Sequence, residues 1–142
     1  MVGQHRARIE VASRWHPEDY AAVATALLEH NRPFLGAPDH QRLAVTARRH
    51  GRLQGAIYGE SGRGMVHFDL VWVAAEARGQ GIGRALVMAA LDEGRRRGCR
   101  GAWLDTFDFQ ARGFYEKLGF QQFAELEGFA NDHRRFFMVK HF

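Results

Sequence analysis

The chain is poor in the features that would place it outside ordinary soluble globular proteins. It has one cysteine, Cys99, so no internal disulfide can brace it, which agrees with a reducing compartment. Cys99 follows Gly98 and precedes an apparent strand, and it reads as a small core residue rather than a nucleophile. No apolar run approaches the roughly 20 residues needed to span a bilayer. Residues 1–6 lack the apolar core of a signal peptide, so a cytoplasmic location with no membrane partner is expected. Zinc-ligand spacing and RNA-binding aromatic motifs are absent, so neither a metal nor nucleic acid is expected as a partner. Internal repeats, low-complexity tracts and interdomain linkers are absent too, and 142 residues suit one domain over 1–142.

Apolar residues make up 46% and charged residues 25%, as in most soluble globular proteins. The net charge is +4, and the positive charge is mostly arginine spread along the chain. Its one short run, Arg95-Arg96-Arg97, falls on the polar side of a helical pattern and reads as a solvated face. Some of this charge could instead attract a polyanionic ligand.

Residues 65–86 dominate what is present. The first half, 65–73, is rich in β-branched and aromatic residues and predicts a largely buried strand. The second half, Arg78-Gly79-Gln80-Gly81-Ile82-Gly83-Arg84, is a glycine-studded turn. It enters an apolar-periodic helix containing Ile82, Leu86, Ala89 and Ala90. A helix start has amides without intrahelical partners and partial positive charge. Glycines let an anion approach those amides closely. A nucleotide-triphosphate loop would end in Lys followed by Ser or Thr, but Arg84 and Ala85 stand there. The dinucleotide pattern G-x-G-x-x-G also fails, because Arg84 or Leu86 falls at its last position. What fits is Arg-x-x-Gly-x-Gly at Arg78, Gly81 and Gly83.

Taken in order, residues 7–12 alternate Ile9 and Val11 with Arg8 and Glu10, predicting a half-buried strand. A helix follows from Pro17, with Glu18 and Asp19 in its first turn and an apolar stripe of Tyr20, Val23, Ala24, Leu27 and Leu28. Residues 31–38 read as a turn-rich connector with room for one short helix. Strands are expected at 42–49, 52–59 and 65–73, with turns at 50–51 and 60–64. The helix after the glycine loop runs to about Arg97 and stops at Gly98. A strand at 101–107, a short helix at 110–118 and strands at 120–126 and 133–140 complete the chain. The order β-α-(α)-β-β-β-α-β-α-β-β implies an α/β protein of α+β type. Its mixed sheet is antiparallel early, with a parallel pair flanking the glycine-loop helix.

Residues 114–120, Phe-Tyr-Glu-Lys-Leu-Gly-Phe, supply a second motif. Together with the Arg-x-x-Gly-x-Gly loop after a strand ending Leu-Val-Trp-Val, and the element order over about residues 7–140, they resemble the GNAT superfamily of acetyl-CoA-dependent N-acetyltransferases. The resemblance implies the GNAT acyltransferase fold, acetyl-CoA as cofactor, an amine of a small molecule or peptide as partner, and a homodimer as an allowed assembly. It places the pyrophosphate against the amides of Arg78, Gly79, Gln80, Gly81, Ile82, Gly83 and Arg84. Main-chain groups of Val71, Trp72 and Val73 would pair with the pantetheine arm like an added strand, with the Val73 amide polarising the thioester carbonyl. The Trp72 side chain is expected in the core. Tyr115 lies where the family commonly keeps the acid that protonates the departing thiolate. Many members have Asn seven residues earlier, where it binds the cofactor. Asp108 stands there instead and offers no amide donor, so helix N-capping is an equal reading.

A free alkyl amine is mostly protonated at neutral pH, so direct attack on the thioester needs a base. Alternation along 65–73 puts residues 67, 69, 71 and 73 on one face. His67 is the preferred base, because an imidazole titrates near neutrality. Asp69 anchors the substrate ammonium or a water, and a carboxylate needs burial to serve as base instead. Phe34, Leu35 and Phe129, with Asp132 and His133, are expected around the substrate. Protein lysine or N-terminal acetylation is the alternative enzymatic reading, and a non-catalytic acyl-CoA-binding regulator the alternative outside enzymes.

Overall fold

A β-strand exists only where a neighbour accepts its hydrogen bonds, and that requirement shapes this molecule. The computed structural model describes residues 6–142. The chain forms two compact units, Met1–Pro38 and Asp39–Phe142. In the first, helix α1 spans Pro17–Leu35, with Pro at its start and Glu18 and Asp19 in the first turn, as expected. It runs through Pro33 to Leu35, so Phe34 and Leu35 form its last turn and not a connector. The strand expected at 7–12 is not formed. Its alternation of Ile9 and Val11 meets the side-chain requirement, but among the described residues the only regular element of this unit is a helix, which offers no ladder edge.

The second unit is built on a six-stranded sheet: β1 (Gln41–Arg49), β2 (Arg52–Gly62), β3 (Met65–Val73), β4 (Gly101–Phe107), β5 (Gln121–Leu126) and β6 (Arg135–His141), in the order β1-β2-β3-β4-β6-β5. All neighbours are antiparallel except β3 and β4. That parallel pair flanks the crossover helix α2 (Ile82–Arg96), and a short α3 (Arg112–Lys117) follows β4. The hairpin β2–β3 pairs as far as Gly62 with Met65. Its turn is therefore the two residues Arg63 and Gly64, tighter than the five-residue turn the composition suggests.

Helix α2 buries Leu86, Val87, Ala90 and Leu91 against Ile57, Val66, Phe68, Leu104 and Met138 of the sheet. Ala89, expected in the apolar stripe, is exposed, and Val87 takes the inward place. Full burial of such side chains contributes about 1.5–3 kcal/mol each. Cys99 packs against the same cluster, and burial pushes its thiol pKa up. Arg97 does not belong to a solvated face. It pairs with Glu93 at 2.7 Å and donates to the carbonyls of Gln41 and Arg42 and to the Ser61 hydroxyl, stapling the end of α2 to β1 and β2.

Strand β3 carries the feature that positions the site. Leu70 opposes Tyr58 and Phe68 opposes Gly59, so Asp69 is the extra residue of a β-bulge. A bulge resets the side-chain alternation and bends the strand. Val66 and Phe68 face α2 before it, and Val71 and Val73 do so after it. His67 therefore lies on the face opposite Val71 and Val73, and the single face expected for 67, 69, 71 and 73 does not exist. Trp72, expected in the core, is half-exposed for the same reason. Past the bulge β3 also parts from β4, to which it pairs only through Met65–His67 with Gly101–Trp103.

Gly59 sits across the bulge, where a Cβ would come within 1.9 Å of the His67 carbonyl oxygen. Gly59→Ala is expected to lower unfolding free energy by about 3 kcal/mol, read from urea denaturation. Gly113→Ala in α3, where a Cβ would meet nothing within 4 Å, should instead be stabilising by about 0.5 kcal/mol in the same assay.

Candidate functional site

The separation of β3 from β4 leaves a crevice of about 660 Å³. Val71, Trp72 and Val73 form one wall, and Phe109, Gln110, Phe114 and Tyr115 the other. Its floor is the loop from Arg78 through Gly79 and Gly81 to Ile82, Gly83 and Arg84. The first α2 bond runs from the Ala85 amide to the Gly81 carbonyl at 3.0 Å, so the amides of Ile82, Gly83 and Arg84 precede the helical ladder and have no acceptor within it. Gly79 and Gly81 hold φ near +77° and +81°, with nothing within 4 Å of where a Cβ would stand. This open, amide-lined cradle at a helix start fits a diphosphate. Arg78 donates to the Val73 carbonyl at 3.3 Å. Gln80 bridges Arg49 and the Glu76 carbonyl, and these contacts fix the loop's approach to the helix.

Tyr115 is buried between Phe114 and Phe120 and reaches the crevice. Burial pushes its pKa up to about 12, so the hydroxyl keeps its proton at neutral pH. Among the described residues it donates to no main-chain carbonyl. Gln110, which the sequence does not single out, accepts the Phe107 amide at 2.7 Å and shapes the entry to α3. Its nearness to Tyr115 follows only from the short helix that brings both to one wall.

Asp108 does not cap α3, whose N-cap is Ala111 without a side-chain bond. It accepts the Arg134 amide at 2.9 Å and meets His133 Nδ1 at 2.7 Å. The Arg134 amide above all, and then the His133 ring, hold its carboxyl below the usual range.

A second pocket, about 550 Å³, opens at the bulge. His67 and Asp69 meet there as expected, joined by Tyr58, Glu60 and Arg42. Glu60, which the sequence assigns to a turn, is the cross-strand partner of His67. The His67 ring stacks on Trp103 at 3.9 Å, and its Nε2 is buried without a partner. Phe129 packs edge-on against Phe107 at 5.1 Å. Phe34 and Leu35 lie in the other compact unit, on α1. Asp132 ends a single 3-10 turn just before His133.

The acetyltransferase (GNAT) family profile matches residues 8–120. The chain is 34% identical over 106 residues to Acetyltransferase Atu2258 of Agrobacterium fabrum, a match covering 74% of this chain and 77% of that one. It is 40% identical over 77 residues to the Blasticidin-S acetyltransferase of Streptomyces morookaense, covering 54% and 57% of the two chains. The crystal structure of an acetyltransferase from Bacillus cereus shares its fold with a TM-score of 0.86, at 24% identity over 96% of this chain and 98% of that one. By the profile match over most of its length and the Agrobacterium relative, the chain belongs to the GNAT family of acetyltransferases, enzymes whose acyl donor is acetyl-CoA.

Proposed function

We propose that the protein moves the acetyl group of acetyl-CoA to a primary amine of a small molecule or peptide by direct attack. The observation that carries this reading is the amide-lined crevice, with a separate pocket that presents Glu60 and Asp69. Two carboxylates at the mouth of a pocket attract an ammonium group. The names of two relatives support the class, one specifying blasticidin S and the other glucosamine 6-phosphate. The family match crosses both compact units, which supports treating 1–142 as one GNAT domain. A cytoplasmic protein, pairing as a homodimer, completes the reading.

In this scheme the amides from Gly79 to Arg84 hold the pyrophosphate, with Arg78 setting the loop, and main-chain groups of Val71, Trp72 and Val73 align the pantetheine arm. Asp69 anchors the acceptor's ammonium, while Phe129 flanks its body. Acetyl-CoA supplies an activated acyl carbon. The amine nitrogen bonds to that carbon, the carbon–sulfur bond breaks, and Tyr115 gives its proton to the departing sulfur. The tyrosine is restored by a proton from the new amide nitrogen. His67 lines the acceptor pocket, where the sequence suggests a base.

Thiol release from acetyl-CoA against a panel of amino sugars, aminonucleosides, aralkylamines and N-terminal peptides tests the reaction. Turnover by at least one class is expected, and binding of acetyl-CoA with no turnover would identify a sensor. Tyr115→Phe is expected to lower kcat about 10- to 100-fold with the acetyl-CoA dissociation constant unchanged by calorimetry. Gly81→Val puts a β-branched residue at a left-handed φ, costing about 1–2 kcal/mol of stability. It should still abolish measurable cofactor binding, and tight binding by this variant would remove the loop from the site.

A further inference from the structure

A ligand seated between β3 and β4 as an extra strand has two edges to satisfy. A trans amide points its carbonyl and its N–H in opposite directions. Pairing one edge with the main chain of Val71, Trp72 and Val73 therefore turns the other toward Phe109, Gln110, Ala111, Phe114 and Tyr115, which line the crevice across from them. Each ligand amide that donates to β3 presents its carbonyl to that second wall. A desolvated carbonyl with no donor is costly.

Donors on that wall are few. Its side chains are apolar apart from Gln110 and Tyr115, and the Tyr115 hydroxyl is placed at the sulfur. Three of the five main-chain amides are already committed. Gln110 donates to the Phe107 carbonyl at 3.0 Å and Tyr115 to the Ala111 carbonyl at 3.3 Å, while Ala111 donates to the Thr106 hydroxyl at 3.5 Å. Asp108 brings no N–H, and its oxygens are bonded to the Arg134 amide and the His133 ring.

We infer that the Gln110 carboxamide is the N–H donor that holds a carbonyl of the cofactor's pantetheine arm. This rests on the placement of acetyl-CoA in the crevice and adds a residue to it. The orientation of the carboxamide follows from its partners. A main-chain N–H can only donate, so the atom that meets the Phe107 amide at 2.7 Å is the oxygen, Oε1. The Thr106 hydroxyl, itself buried, lies 3.3 Å from the same oxygen. It takes the Ala111 amide and gives its own proton to Oε1, closing a chain through the turn from Phe107 to Ala111. The other end of the group, Nε2, has no hydrogen bond among the described residues.

Gln110 is exposed, yet these two bonds hold its carboxamide in one orientation. Rotamer freedom is therefore spent before a ligand arrives, and a donor fixed in advance binds more tightly than a free one. The nucleotide end of acetyl-CoA belongs to the amides from Gly79 to Arg84, at the floor of the crevice. Gln110 thus recognises the arm and not the phosphates, and the two contributions are separable by experiment.

Calorimetry at mildly alkaline pH compares acetyl-CoA with adenosine 3′-phosphate 5′-diphosphate, which carries the pyrophosphate but no arm. Gln110→Glu keeps an acceptor for the Phe107 amide and replaces the donor with a second carboxylate oxygen. It is expected to weaken acetyl-CoA binding about 10- to 100-fold, with Tm and the nucleotide's affinity unchanged. Gln110→Met removes the donor without adding charge and should weaken acetyl-CoA about 5- to 10-fold, again sparing the nucleotide. In ¹⁵N spectra of the full chain, the side-chain amide signal missing from both variants should shift with acetyl-CoA and not with the nucleotide. Unaltered acetyl-CoA affinity in both variants would overturn the assignment. So would an equal loss for the two ligands, or a Gln110 signal indifferent to acetyl-CoA. Those outcomes sink Gln110 alone, whereas wild-type protein that binds no acetyl-CoA sinks the placement of the cofactor and this assignment with it.

Discussion

One extra residue in one strand organises the active half of this protein. Asp69 has no partner on β2, so β3 must bend, and the bend carries its second half away from β4. A parallel sheet normally hides its main chain on both sides. Here the main chain of β3 past the bulge is without a β4 partner, and an extended ligand can take the missing strand's place. The same distortion reverses which face each side chain uses. It carries Val71 and Val73 onto the α2 side and leaves His67 with Glu60 and Asp69 in a separate pocket. The crevice and the separate pocket are therefore two consequences of a single backbone irregularity. That irregularity in turn requires the absence of a side chain at Gly59.

An opening between adjacent strands would collapse unless both margins were held elsewhere. On the β2 side, Arg97 ties the end of α2 to the carbonyls of β1 and the hydroxyl of Ser61. Those contacts are charge-assisted, the stronger class of hydrogen bond, and the one to Ser61 is part-buried. On the β4 side, Lys140 donates to the Leu118 carbonyl at 2.7 Å, closing the end of α3 onto β6. Asp108 binds the start of the β4–α3 loop to the residue before β6. The crevice is thus a gap between two braced bodies of one sheet, and its shape does not depend on a ligand to prop it open.

Much of this was legible in the residues, and the parts that were not share a cause. Local signals worked where local physics decides. The glycine loop, the helix that follows it, the short α3 and the tyrosine beside the crevice all follow from spacing and motif. Alternation along 65–73 failed because a bulge is set by pairing with β2, and no single strand carries that information. The strand at 7–12 failed for a related reason, since alternation describes a surface but supplies no neighbour to bond with. Arg97 looked solvated because three arginines in a row on one helix give no hint that the third meets carbonyls more than 50 residues away in sequence. Pro33 looked like a breaker, yet α1 continues through it. Asp108 was visible as a departure from the family pattern, but its partners, His133 and Arg134, are 25 and 26 residues distant.

That departure gives the site its logic. Acetyl transfer needs one group that keeps its proton and one that gives it up, both within a few ångströms of the same carbon and at the same pH. Tyr115 is enclosed by Phe114 and Phe120, and burial raises its pKa, so it holds its proton at neutral pH. Asp69, in the separate pocket, and Asp108, bonded to the Arg134 amide, are both exposed. An asparagine in place of Asp108 could grip the cofactor's amide but could not stabilise a cation. Asp108 instead turns its two oxygens to the Arg134 amide and the His133 ring.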